Sequence, residues 1–170
     1  MTKHLTKPIR AFHFLVLAFL MTLTSPVVAQ DIQKGYAAYS AGDYATALQE
    51  WTPLAEAGDT LGQFMLGLLY LNGFGVVQDY KETVKLWTLA AKQGNVSAQM
   101  NLGLRYENGQ GVLQDNAKAH MWYNIGSANG FEQSRTNRDR IAKQMTPADI
   151  SKAQAMAREC INSGYTKCGY

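Results

Sequence analysis

The sequence predicts an all-α fold, a solenoid of stacked antiparallel helix pairs, on three observations. Two ten-residue segments repeat each other with an offset of 36 residues, "YLNGFGVVQD" at 70–79 and "YENGQGVLQD" at 106–115. Glycine recurs at the same offset on both sides of these segments. An aromatic residue does so as well, at Trp51, Trp87 and Tyr123. A period of about 20 to 50 residues is typical of supersecondary units that stack on their neighbours.

Each unit is expected to contain two helices joined by the glycine-containing segment. In the second unit, Ala98, Leu102 and Tyr106 recur every four residues and form an apolar stripe of helical period. Gly109 is placed to end this helix, since glycine readily adopts the left-handed conformation. Asp115 is placed to cap the next helix, because its carboxylate can accept from free backbone N–H groups.

The glycines are expected to serve turns and packing rather than a ligand. The two repeated segments resemble phosphate-binding loops, but Gln78 and Gln114 stand where a dinucleotide fingerprint has its third glycine, and no strand precedes them. Gly67 and Gly103 lie inside helices, where glycine costs about 1 kcal/mol relative to alanine. We expect the second helix of each pair to approach so closely there that a side chain would block it.

The first 29 residues are expected to be a cleaved signal peptide. Three basic residues precede an apolar run at 11–23, and Val27 and Ala29 suit the −3 and −1 positions of a cleavage site. The run is shorter than the roughly 20 residues that span a bilayer, so we expect export to the periplasm and no membrane insertion after cleavage. This leader holds three of the 16 basic residues and none of the 13 acidic ones. The rest is formally neutral, which argues against nucleic-acid binding.

The segments 62–94 and 97–130 carry the pattern "AQ..LG..Y..G.GV..D...A..WY....A..G", with Gly62 and Val84 replacing two alanines in the first copy. This pattern resembles the Sel-one-like repeat, a longer-looped relative of the tetratricopeptide repeat. The resemblance implies a right-handed α-solenoid of antiparallel helix pairs. It also implies an adaptor role, since families with such repeats act in envelope assembly, secretion and signalling.

We expect residues 30–170 to form a single α-solenoid domain with four parts. These parts are a tetratricopeptide-like N-terminal pair at 30–57, Sel-one-like repeats at 58–93 and 94–129, and a closing helical pair at 130–170. Thr146 followed by Pro147 predicts a helix start in the last part. Cys160 and Cys168 are expected to form a disulfide that closes the tail, as an even cysteine pair usually does in an exported protein.

Few residues are available for catalysis or metal binding. His120 is the only histidine after the leader, and it is expected on a helix surface or edge. A zinc site needs three or four ligands, whereas His120 and the two cysteines are far apart in sequence. A serine or cysteine nucleophile would have to use this one histidine. We therefore expect no enzymatic activity, no metal and no cofactor.

A partner-binding surface is predicted from a comparison of the two repeats. At four positions where the second repeat is polar the first is apolar, which would give the first repeat an exposed hydrophobic seat surrounded by polar side chains. The predicted partner-binding residues are Gln63, Met65, Leu69, Leu71, Phe74, Gln99, Asn101 and Arg105. The alternative is that the N-terminal helical pair buries the apolar ones.

The function predicted from the sequence is that of a non-enzymatic periplasmic adaptor or scaffold, a monomer, that binds a segment of a protein partner on its concave face. Its role would lie in envelope assembly or signalling. One alternative is a binder or hydrolase of cell-wall or β-lactam-type ligands, which the resemblance suggests although this chain lacks a cysteine pair in each repeat. Another is a chaperone-like holder of exported proteins.

Overall fold

The computed structural model describes residues 31–168, which form eight α-helices and no β-strand. The helices are α1 (Ile32–Ser40), α2 (Tyr44–Glu56), α3 (Thr60–Asn72), α4 (Tyr80–Lys92), α5 (Val96–Asn108), α6 (Asn116–Ala128), α7 (Glu132–Ala142) and α8 (Pro147–Asn162). The predicted signal peptide lies outside the described residues. Within them, no helix combines the length and the hydropathy that a membrane crossing requires.

The helices stack in chain order, as expected of a solenoid. Each helix from α1 to α5 packs against the next one, and α6 packs against both α7 and α8. The all-α solenoid predicted from the repeat is therefore confirmed. The closing pair is anchored through α6, which both of its helices contact.

Short polar side chains start most of the helices. The side chains of Asp79 and Asp115 accept hydrogen bonds from backbone N–H groups in the first turns of α4 and α6. Thr146 accepts from the Asp149 N–H at the start of α8, with Pro147 in its first turn. These caps satisfy donors that the helix itself leaves free. The two predicted helix starts, at Asp115 and at Thr146, are confirmed.

In the first three helix pairs, a glycine inside the first helix lies against an aromatic ring of the second helix. A Cβ atom added to any of these glycines would overlap the ring, so the two backbones approach as closely as the sequence predicted. The pairs are Gly35 with Trp51, Gly67 with Trp87, and Gly103 with Tyr123. All three rings are fully buried. This contact compensates the helix penalty of an internal glycine.

The disulfide predicted from the sequence is present. Cys160 at the end of α8 is bonded to Cys168, with an S–S distance of 2.01 Å, and both side chains are buried. They join the core cluster of the second repeat together with Ala157. The bridge therefore ties the tail into the core that α6 and α8 share.

Candidate functional site

The glycine-containing loops are packing elements. Gly73 and Gly109 adopt φ angles of 70° and 66° and end α3 and α5 in the left-handed conformation. Each loop is also closed by the glutamine that replaces a third glycine, since the Gln114 side chain donates to the Glu107 carbonyl at 2.8 Å. Gln78 donates in the same way to the Leu71 carbonyl at 2.7 Å. The turn predicted from the sequence is confirmed.

The second glycine of each loop touches the preceding repeat. A Cβ at Gly75 would lie 3.0 Å from the Tyr44 carbonyl oxygen, and a Cβ at Gly111 would overlap the Tyr80 carbonyl. Both glycines also have a positive φ, which side chains tolerate poorly. The loop backbone therefore packs against the first turn of the second helix of the preceding pair, which is α2 for Gly75 and α4 for Gly111.

The hydrophobic seat predicted on α3 is core. Met65 is 3% exposed and Leu69 is 0% exposed, and both belong to a cluster with Trp51 of α2. The expectation that these side chains face solvent is wrong, and the alternative of burial by the N-terminal pair is correct. The physical reason is that the aromatic side chains of α1 and α2 pack on these apolar side chains of α3 and exclude water from them.

The other two apolar positions of that seat are half-buried. Phe74 stacks on Tyr44 of α2 with ring centroids 4.2 Å apart, and lies 6.1 Å from Tyr39 of α1. Leu71 packs against the core of the second repeat. Phe74 therefore joins the first repeat to the N-terminal pair, and Leu71 contributes to the core, so neither belongs to a fully exposed seat.

The two predicted orienting glutamines are internal ties. Gln63 is 4% exposed and Gln99 is 0% exposed. Gln99 donates to the Ala91 carbonyl at 3.1 Å and accepts from the Asn129 side chain at 2.9 Å. Gln63 donates to the Ala55 carbonyl and accepts from Gln93. The expectation that these amides point to a partner is wrong, because their hydrogen bonds are used between consecutive helix pairs.

Asn101 and Arg105 are the two predicted residues that remain on an open surface. They lie one turn apart on α5 and are half-buried, as are Met100 and Leu104 beside them. We call these four residues, Met100, Asn101, Leu104 and Arg105, the α5 strip. It lies next to the fully buried stripe of the same helix, which contains Ala98 and Leu102.

Arg105 has an unusual environment. Its guanidinium carbon lies 6.0 Å from the centroid of the Trp87 ring, and its Nε atom is buried with no hydrogen-bond partner within residues 31–168. Burial lowers the pKa of Arg105, and the nearby hydroxyls of Tyr80 and Tyr123 act in the opposite direction. An arginine remains charged under all physiological conditions. This site therefore presents a cation next to aromatic rings.

Glu107 forms a network that the sequence did not reveal. It accepts from the Tyr123 hydroxyl at 2.6 Å and from Arg140 Nη2 at 2.8 Å, which connects α5 to α6 and α7. The Arg140 hydrogen bond is the main reason that the pKa of Glu107 is lowered, while burial opposes it. The only signal in the sequence was the replacement of Leu71 by Glu107 at the same repeat position.

His120 is buried. It is 2% exposed, and its Nδ1 atom has no hydrogen-bond partner among the described residues. Burial lowers the pKa of His120, and Arg138 lowers it further, while Asp139 opposes them. The expected surface position is wrong, because α7 packs against α6 and brings Arg138 and Asp139 near this side chain. Within residues 31–168, no cluster of three or more histidine, cysteine and acidic residues has a geometry for metal binding.

Comparison with known proteins identifies the repeats. The family model described as Sel1 repeat matches residues 60–95 and 96–131. None of the curated proteins compared with the chain matches it.

Solved structures with the same arrangement exist. The crystal structure of c5321, a protective antigen present in uropathogenic Escherichia coli strains displaying an SLR fold, is similar with a TM-score of 0.73 and 26% identity. That match covers 77% of this chain and 30% of the antigen. The crystal structure of a Sel1 repeat protein from Oxalobacter formigenes shares the fold with a TM-score of 0.64 and 23% identity, over 82% of this chain and 60% of that one. This chain thus spans less than two thirds of either structure.

Proposed function

We propose that this Sel1-repeat protein, with its two repeats at residues 60–131, is a non-enzymatic periplasmic adaptor that holds a segment of a partner protein along α3 and α5. Sel1 repeats generally mediate protein–protein interaction and typically form non-catalytic scaffolds. Beyond these general properties of the repeat, we propose the periplasmic location, the binding surface and a role in envelope assembly or signalling. The protein would act as a monomer.

The α5 strip is the observation that supports this binding surface. Met100 and Leu104 are apolar and half-buried, and the same register on α3 holds Phe64 and Leu68, which are also half-buried. The first helices of successive repeats lie on the same side of a solenoid. The four side chains therefore offer a partly exposed apolar surface, of the kind that supplies anchor contacts in protein interfaces.

The disulfide supports the proposed location. A cysteine pair bonded within the core indicates an oxidising, extracytoplasmic compartment. The leader predicted for residues 1–29 would deliver the protein there. N-terminal sequencing of protein from native cells should start within a residue or two of Gln30. A membrane-bound form that still carries Met1 would contradict export of the cleaved protein.

Site-specific crosslinking tests the binding surface. A photoreactive amino acid at Leu104 should capture one or two specific proteins in intact cells, because this residue lies in the α5 strip. Leu89 on α4 is a matched control, since it is also a leucine within a helix and is 43% exposed. Crosslinks of the same proteins from both positions, or no crosslink from Leu104, would contradict the proposal. Capture of many different proteins would favour a chaperone-like function.

A further inference from the structure

Arg105 occupies the repeat position that Leu69 fills in the first repeat, 36 residues earlier. Leu69 is completely buried in the core, so this register accepts an ordinary apolar side chain. Arg105 is half-buried instead, and its Nε atom has no hydrogen-bond partner in the part of the chain that the structure describes. Burying a charged group without a partner is costly. Repeat packing therefore does not explain why an arginine stands here.

No acidic group in the described part of the chain pairs with Arg105. The ion pairs between residues 31 and 168 involve other side chains. Glu107 is close in sequence, but its carboxylate is occupied by Arg140 and Tyr123. The guanidinium carbon instead lies 6.0 Å from the centroid of the Trp87 ring. A cation–π contact holds a guanidinium in place, and its Nη–H groups, which are not buried as Nε is, can still donate to an acceptor.

The loop that follows α5 is also more polar than its counterpart. In the first repeat Phe74 stacks on Tyr44 at the start of α2. The equivalent position in the second repeat is Gln110, and the equivalent of Tyr44 is Tyr80. The second repeat thus replaces two apolar side chains, Leu69 and Phe74, with two polar ones. The change is concentrated beside the open α5 strip.

We propose that Arg105 binds a carboxylate of the partner segment, and that this carboxylate belongs to an aspartate or glutamate within the segment. This inference rests on the proposed adaptor function and specifies its ligand. A guanidinium recognises a carboxylate through two parallel hydrogen bonds, and the partly buried site strengthens them. Met100 and Leu104 lie beside the cation, so apolar residues flank the acidic one. An internal acid lets the segment continue on both sides of Arg105, whereas a chain terminus extends to one side only.

Binding of a defined peptide tests this site without the native partner. The probe is acetyl-Leu-Asp-Leu-amide, and the signal is the side-chain Nε–H resonance of Arg105 in nitrogen-15 spectra, assigned by its loss in Arg105→Lys. We expect a saturable shift of this resonance and none at Arg140, which is already paired with Glu107. The neutral acetyl-Leu-Asn-Leu-amide should leave the Arg105 resonance in place.

Three results would overturn the inference. They are an Arg105 resonance that stays unmoved by the aspartate peptide, an equal shift with the asparagine peptide, and a larger shift with acetyl-Leu-Asn-Leu carrying a free carboxyl terminus. The last would assign the site to chain termini. High salt should weaken the expected shift, because the interaction is electrostatic.

Variants of Arg105 link the site to partner capture. Arg105→Leu should reduce crosslinking from Leu104 at least tenfold, and Arg105→Lys should retain part of it. The melting temperature of Arg105→Leu should equal or exceed that of the wild type, because leucine is the core residue at this register in the first repeat. A lower melting temperature would show that Arg105 is structural and overturn the inference.

The two proposals fail in different ways. Unchanged capture in Arg105→Leu would contradict the role of Arg105 and leave the adaptor function standing. No capture by the wild type, together with a peptide-induced shift at Arg105, would contradict the adaptor function and support the carboxylate site.

Discussion

Gln99 donates a hydrogen bond from its side-chain Nε2 to the backbone carbonyl of Ala91 at 3.1 Å, which ties α5 to the end of α4. Its Oε1 accepts from Asn129, the residue that follows α6. One buried amide therefore connects three consecutive helices. Gln63 makes the equivalent pair of bonds one repeat earlier, so these amides form a ladder along the solenoid.

Replacing Gln99 with leucine should lower the free energy of unfolding by about 1 to 3 kcal/mol, because the Ala91 carbonyl and the Asn129 amide lose a buried partner. Urea denaturation followed by circular dichroism measures this. Gln93→Ala is a useful comparison, because Gln93 donates a hydrogen bond to Gln63 but is itself exposed. This change should lower the free energy of unfolding by less than Gln99→Leu does. A neutral Gln99→Leu variant would show that the ladder contributes nothing to stability.

Gly103→Ala should destabilise the protein by about 1 to 3 kcal/mol, although alanine is the better helix former, because its Cβ would overlap the Tyr123 ring. The measurement is again equilibrium unfolding. Gly103→Ala should cost much less in a Tyr123→Leu background, where the ring is gone. Equal costs in the two backgrounds would contradict a direct contact between these positions.

Leu69→Asp should lower the free energy of unfolding by roughly 3 kcal/mol or more, because it places an unpaired charge in the core of the first repeat. Leu113→Asp makes the same change at a loop position that is 91% exposed, and should stay within about 0.5 kcal/mol of the wild type. Thermal unfolding of the two variants makes the comparison. Similar melting temperatures would contradict the burial of Leu69.

His120 should make stability fall as the pH is lowered below about 6.5. Its pKa is lowered in the folded protein, so below the ordinary value of 6.5 the unfolded chain binds more protons than the folded one. The stability is fully present above pH 6.5 and is lost as the pH falls toward the folded pKa. Unfolding curves recorded between pH 7.5 and 5, a range that includes 6.5, measure how the free energy of unfolding changes with pH.

His120→Gln is the control for this pH dependence, because a glutamine does not titrate. The variant should show a flatter profile between pH 7.5 and 5 than the wild type, whatever its absolute stability. Parallel profiles would assign the pH dependence to other groups. Glu107 contributes at lower pH, since its pKa is lowered from 4.5, and its stabilising effect disappears only as the pH falls below that value.

Much of the fold follows from local sequence. Asp115 caps α6 and Gly109 ends α5 because each acts on backbone groups within a few residues of itself. The glycines at 67 and 103, one repeat offset of 36 residues apart, predicted a close approach of the two helices in each repeat, but not which ring they would meet. Cys160 and Cys168 are eight residues apart, and their pairing is also a local matter.

The identity of the exposed residues depended on tertiary structure. Leu69 and Arg105 occupy equivalent positions in the two repeats. Leu69 is fully buried and Arg105 is half-buried, because different helices lie next to them. Gln99 and His120 read as surface residues but are covered by helices that follow later in the chain. Caps and turns are decided by bonds within about four residues, whereas burial is decided by neighbours tens of residues away. The sequence by itself therefore determined the repeat and its helices, and only their packing decided which side chains remain available to a partner.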